Sequence, residues 1–231
     1  GGSVLTEAMR ISQDGTQNQQ ANYIVNEQGR QDHVSNTMPA PYYRFDGVDD
    51  YIDTGESFAS TFASSHSFSA WINSEDGQGS EKTIMGTWED GSTDYNYLQL
   101  RTNGELKFQY GSDTNITAGL TANSVFSDGN TGWVHVACVL DETVGTNGQM
   151  YIYINGVLQT LASSPNNGDL SVNSVVIADY VNPHEVYIGA KNGNASANDF
   201  FTGSISDVKI FNNALTATEV KELYSGASVP F

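Results

Sequence analysis

Four aspartates, Asp46, Asp49, Asp50 and Asp53, fall within eight residues around a Gly47 turn. Carboxylates crowded in this way raise one another's pKa unless a cation or a hydrogen-bond donor sits among them. Calcium is the matching cation, because it takes about six to eight hard oxygens from carboxylates and carbonyls. The competing reading is that these side chains only satisfy the N–H groups of their own turns. The EF-hand spacing that would strengthen the metal reading is absent.

A second kind of chemistry is read from alternation. Along Tyr95–Arg101, Leu98 and Leu100 point one way while Tyr97, Gln99 and Arg101 point the other. Along Glu105–Tyr110, Leu106, Phe108 and Tyr110 share the apolar face, leaving Lys107 and Gln109 opposite. In Met150–Ile154, Ile152 and Ile154 oppose Tyr151 and Tyr153. If these strands share a sheet, one of its faces carries tyrosine, amide and cationic side chains. Such faces bind sugars by stacking rings on aromatics and bonding hydroxyls with amides and charges. An ordinary solvent-facing sheet also favours tyrosine. Trp88 and Tyr95 flank the acidic turn Glu89–Asp94 and suggest a rim site for a ligand or a calcium-bridged sugar. Trp71 and Trp133 read as packing residues.

Other chemistries lack their residues. His33, His66, His135 and His184 show no zinc spacing. No Gly-x-Ser-x-Gly elbow occurs. Cys138, the one cysteine, lies in an apolar run and reads as a buried small hydrophobe. An intrachain disulfide is therefore impossible. The chain has 9 Lys+Arg against 27 Asp+Glu, a net charge of −18. Phosphate binding needs a basic footprint, so nucleic acid is disfavoured, as are anionic membranes. No stretch approaches the roughly 20 apolar residues of a spanning helix, which argues against membrane insertion.

The elements that position these residues are short alternating segments separated by Asn, Asp and Gly turns. Strands are predicted at 42–46, 51–54, 67–73, 83–88, 95–101, 105–110, 133–141, 150–154, 157–161, 175–178, 186–189 and 204–211. Thr102-Asn103-Gly104 and Asn155-Gly156 are hairpin turns. Residues 133–141 are apolar on both faces, which predicts a central strand. Thr216-Ala217-Thr218-Glu219 is a capping box for one short C-terminal helix that stops at Gly226. Strands at this spacing without alternating helices imply an all-β sandwich or jelly roll over residues 42–231. Phe68, Ile72, Val136, Ile154 and Ile210 are its expected core. Residues 1–41 form a polar N-terminal arm. A short helix is possible near Val4–Ile11, followed by a Gln/Asn-rich tract too polar to order itself alone. The arm is expected to lie on another subunit or a virion neighbour through residues 1–38. The start Gly1-Gly2-Ser3 reads as processed, trimmed or tagged.

Five segments occur in a telling order: Phe45-Asp46-Gly47-Val48-Asp49-Asp50-Tyr51-Ile52, Phe68-Ser69-Ala70-Trp71-Ile72, Trp133-Val134-His135-Val136-Ala137, Tyr153-Ile154-Asn155-Gly156, and Gly203–Phe211, before the closing helix. The set resembles the laminin G-like, concanavalin A-like jelly roll, in the branch that is also similar to pentraxins, which implies a two-sheet antiparallel jelly-roll sandwich. The resemblance covers residues 42–226. It implies that an aspartate of the last long strand helps hold a structural calcium beside the first strands, and Asp207 occupies that place. Laminarinase-like enzymes of this fold carry Glu-x-Asp-x-(x)-Glu along one strand, and nothing here matches. Glu89–Asp94 has Gly, Ser and Thr between its acids and does not replace it. The expected function is therefore non-enzymatic recognition of a glycan or cell-surface polymer, stabilised by calcium, in an extracellular, cell-surface or virion setting. The alternative is a bacteriophage virion structural protein, a fibre or capsid decoration module. A glycoside hydrolase of the same fold ranks third, because hydrolysis needs two carboxylates across one bond.

Overall fold

The computed structural model describes residues 9–11, 17–19, 42–88, 94–112, 115–162, 167–193 and 196–226. Two antiparallel sheets face each other across a single apolar core. One sheet contains β3 (Tyr43–Asp46), β5 (His66–Ser74), β10 (Val134–Asp141), β11 (Gln149–Ile154), β12 (Val157–Leu158) and β16 (Thr202–Phe211), in the spatial order β12-β11-β10-β5-β16-β3. The other contains β6 (Lys82–Trp88), β7 (Tyr95–Leu100), β8 (Leu106–Ser112), β9 (Asn115–Leu120), β14 (Lys191–Gly193) and β15 (Ser196–Asn198), ordered β15-β14-β6-β7-β8-β9. At its margin β13 (Tyr187–Ile188) pairs with β4 (Ile52–Asp53) and β6. One pairing, β14 with β6, is parallel.

The core forms because each strand turns one parity inward. Phe68, Ala70 and Ile72 of β5 meet Val136, Cys138 and Leu140 of β10 from one sheet, and Leu98, Leu100, Leu106, Phe108 and Tyr110 from the other. Phe68, Ile72 and Val136 are fully buried as expected, whereas Ile154 and Ile210 pack only part-buried against the core. Cys138 is buried, and desolvation pushes its thiol pKa well up. β10 is central and covered on both faces: Ala137 and Val139 on its outer side join Tyr153, Leu215 and Val220 beneath α2 (Ala217–Ser225). The capping box closes at both ends, with Thr216 Oγ1 accepting from the Glu219 N–H at 3.3 Å and Glu219 Oε2 accepting from the Thr216 N–H at 2.7 Å. Gly226 ends the helix in the left-handed conformation.

Several sequence expectations differ from the structure. Residues 175–178 do not make a strand: Ile177–Asp179 is a 3₁₀ turn that seats Val175 and Ile177 on the core. Their β-branched run reflects burial, which outweighs strand propensity. β9, β14 and β15 and the one-turn helix α1 (Ala59–Phe62) are additional elements without a clear alternating signature. Of the segment expected as a helix near Val4–Ile11, Met9–Ile11 is a strand, β1, which pairs antiparallel with β2 (Gln17–Gln19), while residues 4–8 lie outside the described residues. The segments bracket Asp14-Gly15, a turn-forming dipeptide. The expected path of the rest of the arm lies outside the described residues.

Candidate functional site

The outer face of the β15–β9 sheet gathers polar and aromatic side chains across four neighbouring strands. Register places Tyr97 of β7 between Gly86 of β6 and Gln109 of β8, and Gln99 between Thr83 and Lys107. Opposite parity sends Leu98, Leu100 and Phe108 into the core, so packing fixes the outward set. Gly86 is required here. Its φ is +150°, and a Cβ would lie 2.2 Å from Tyr97 Cβ and 2.4 Å from Tyr97 Cα. Only glycine lets β6 and β7 approach closely enough to seat Tyr97.

The side chains form linked pairs. Tyr97 OH donates to Gln109 Oε1 at 2.8 Å and accepts from Lys107 Nζ at 3.2 Å. Gln99 Nε2 donates to Asp199 Oδ2 at 2.9 Å, and Asp199 pairs with Lys191 at 2.8 Å. The Lys191 ammonium lies 4.7 Å from the Trp88 ring centre and 5.0 Å from that of Tyr97, within cation–π range. Trp88 and Tyr95 stack with centroids 6.1 Å apart and planes 15° apart. Arg101 donates to Glu105 at 3.0 Å and lies 3.8 Å from Glu81. Burial raises the Tyr97 phenol above its ordinary range, so it stays a neutral donor. Burial lowers Lys107 to about 8, against the opposing pull of Glu81 and Asp199. Among the described residues, three buried polar atoms on this face have no hydrogen-bond partner: Gln99 Oε1, Trp88 Nε1 and Arg101 Nε, the last 3.8 Å from a Glu81 oxygen. An orphaned buried group costs roughly 1–3 kcal/mol. The face thus offers an acceptor at Gln99 and donors at Trp88 and Arg101, beside a stacking platform, to whatever lies on it.

Six of the eight expected ligand-binding residues, Trp88, Tyr95, Tyr97, Gln99, Arg101 and Gln109, therefore come together. Tyr151 and Tyr153 do not. Their strand β11 belongs to the opposite sheet, and their outward rings pack beneath α2. Alternation reveals which face a side chain takes, not which sheet its strand joins. Within the expected acidic rim, residues 89–93 lie outside the described residues, and Asp94 is buried with its carbonyl accepting from Asn182 Nδ2 at 2.7 Å. Lys191 and Asp199 escaped sequence reasoning, because β14 and β15 are three-residue strands too short to show a period. Trp71 is a packing residue, stacked on Tyr224 at 5.7 Å and edge-on to His135 at 5.4 Å. Trp133 meets Tyr42 edge-on.

The aspartate cluster is exposed on the β3–β4 loop. Ligand oxygens of Asp46, Asp49 and Asp50 lie within 4.8 Å of one another. Asp46 Oδ1 accepts from the N–H groups of Val48 at 2.8 Å and Asp49 at 3.3 Å, and these donors hold its pKa below the usual value. Asp53 instead accepts from the Gly55 N–H. Asp207 is not beside this cluster. In register Asp46 faces Thr202, five residues earlier on β16, a separation of roughly 16 Å along the strand. Asp207 sits exposed at a bulge with φ +50° and pairs with Lys209. Its place along β16, five residues beyond the partner of Asp46, keeps its carboxylate from the cluster.

Comparison with known proteins agrees with this architecture. Residues 46–221 match the family model described as the concanavalin A-like lectin/glucanases superfamily. No curated protein matched the chain. Among solved structures, the CBM40 domain of Ruminococcus gnavus IT-sialidase superposes with a TM-score of 0.56 at 13% identity, over 80% of this chain and 98% of that one. The botulinum neurotoxin serotype D binding domain gives 0.55 at 19%, over 83% of this chain and 43% of that one. The NanB sialidase of Streptococcus pneumoniae gives 0.55 at 16%, over 78% and 26%. At these identities the likeness is one of fold. With its family model spanning most of the described jelly roll, the chain belongs to the concanavalin A-like lectin/glucanase superfamily.

Proposed function

We propose that this protein is a non-enzymatic glycan-recognition module that binds through the outer face of the β15–β9 sheet. The observation that carries the reading is the Trp88–Tyr95 stack set beside the Gln99, Tyr97, Gln109 and Lys107 side chains, with Gln99 Oε1 and Trp88 Nε1 buried and unpartnered. A sugar presents an apolar ring face to the stack and hydroxyls that both donate and accept. The carboxylates described on this face support binding over hydrolysis: Asp199 is committed to Lys191, and Glu81 and Glu105 flank Arg101. A hydrolytic pair would need two carboxyls facing each other across a bond. The CBM40 domain of the same fold has been solved with α2,3-sialyllactose bound. Glycan-array binding followed by calorimetry tests the reading. Trp88→Ala should weaken the best-bound glycan by about tenfold or more, without unfolding the domain. Unchanged affinity in that variant, or an array without binding, would overturn it.

Calcium completes the proposal. Asp46, Asp49 and Asp50 would hold it on the β3–β4 loop, supplying hard anionic oxygens and tying the first strands together. Such a module works outside a cell or on a virion surface, where calcium is plentiful. Calcium at a hundredfold over its Kd should raise Tm by roughly 5–10 °C. Asp49→Asn should remove that increment, and Asp207→Asn should leave it unchanged. Identical melting with calcium and with chelator would end the metal proposal.

A further inference from the structure

The outer face of the β15–β9 sheet carries three cations on a chain that has nine in all. Two are matched: Lys191 with Asp199, and Arg101 with Glu105 and Glu81. Lys107 is the odd one. Its ammonium donates to the neutral Tyr97 hydroxyl at 3.2 Å and lies 5.0 Å from the Tyr97 ring centre. Among the described residues no carboxylate lies within ion-pair distance of it. A partly buried cation without an anion is costly and normally finds a partner. In register Lys107 is level with Gln99, whose Oε1 is itself buried and unpartnered. Among the described side chains that meet on this face, three cations stand with Glu81, Glu105 and Asp199, whereas the whole chain carries −18. An anion meets less repulsion beside these matched charges than on the rest of so acidic a surface.

We propose that the glycan taken by this face is acidic, with a sugar carboxylate or sulfate ester pairing with Lys107 while a neighbouring hydroxyl donates to Gln99 Oε1. This rests on the glycan-binding reading above and assigns its ligand class. Capture is then pH-dependent in a defined direction. The groups facing Lys107 are the Tyr97 hydroxyl, Glu81 and Asp199, which favour its charge or are neutral, and Lys191 and Arg101, which oppose it. Burial dominates and lowers Lys107 to about 8. The ammonium is therefore present at pH 6.5 and gone at pH 9.5, while sugar carboxylates and sulfates stay ionised throughout.

The test is calorimetry with matched probes that differ only in the acid: lactose against α2,3-sialyllactose and 3′-sulfated lactose, and hyaluronan oligomers against their carboxyl-reduced forms. At pH 6.5 the acidic member of a bound pair should bind roughly 10- to 100-fold tighter, the scale of a charge-assisted hydrogen bond. The gap should close at pH 9.5, vanish in Lys107→Met at both pH values, and persist at pH 9.5 in Lys107→Arg. The sulfated and carboxylated arms separate the two acids. Circular dichroism melts of both variants check that the fold is retained. Equal binding of neutral and acidic members, or a gap that survives Lys107→Met, overturns the proposal. Equal binding that Trp88→Ala abolishes overturns it alone, whereas binding of no probe overturns the glycan reading with it.

Discussion

Lowering the pH from 6.5 to 5 will cost this domain about 1.4 kcal/mol per pH unit for each of two buried histidines. His66 is fully enclosed, with Nδ1 2.7 Å from the Ser64 carbonyl and Nε2 3.0 Å from the Asn96 amide, among the rings of Phe62, Phe68, Phe108 and Tyr110. These partners set the neutral tautomer with its proton on Nδ1. His135 lies under α2, its Nε2 2.9 Å from Ser69 Oγ, with Lys209 nearby. Burial lowers both to about 4. The unfolded chain therefore binds protons in the window from 6.5 down to about 4 that the folded chain refuses. Stability is fully present above 6.5 and is lost as pH falls through that window. Asp46, Asp76 and Glu219, whose pKa values are lowered by hydrogen bonds, act in the same direction but at lower pH. Urea titrations between pH 6.5 and 5 isolate the histidines. His66→Gln and His135→Asn should each remove about half of the slope, whatever they do to absolute stability. A flat profile in the wild type would show that these imidazoles are solvated.

Phe68→Ala should destabilise the fold by about 3–5 kcal/mol, measured by urea unfolding at pH 7. Phe68 is fully buried where the two sheets meet, with ring centroids 5.4 Å from Phe62 and 5.9 Å from Phe108. Removing it takes away a ring that joins β5 to α1 and β8, a junction it shares with His66, and the backbone cannot close the gap without breaking ladder pairing on both sides. Phe68→Leu should cost well under half as much, because most of the volume is kept. A loss below 1 kcal/mol for the alanine variant would contradict the close sheet packing.

Local rules made much of this protein legible. Period-two alternation placed Leu98, Leu100, Leu106 and Phe108 inside and Tyr97, Gln99 and Gln109 outside, because a strand must send successive side chains to opposite faces. The hairpin turns at Asn103-Gly104 and Asn155-Gly156 and the Thr216–Glu219 capping box are short-range chemistry that needs no partner from elsewhere in the chain. Other features depended on strands far apart in sequence. Tyr151 and Tyr153 share the alternation of Tyr97, yet they lie on the other sheet, since alternation carries no record of which neighbours a strand pairs with. Lys191 on β14 and Asp199 just past β15 reach the site from far later in the chain, where three-residue strands are too short to show any period. Register also decided Asp207: β16 meets Asp46 at Thr202, five residues before it, so this aspartate lies well along the strand from the acidic cluster. The sequence alone therefore determined most of the longer strands, their inward faces and the class of fold, which follow from local sterics and burial. Only the tertiary structure decided which outward faces merge into one surface and which cation is left without an anion, because both are set by contacts between distant segments.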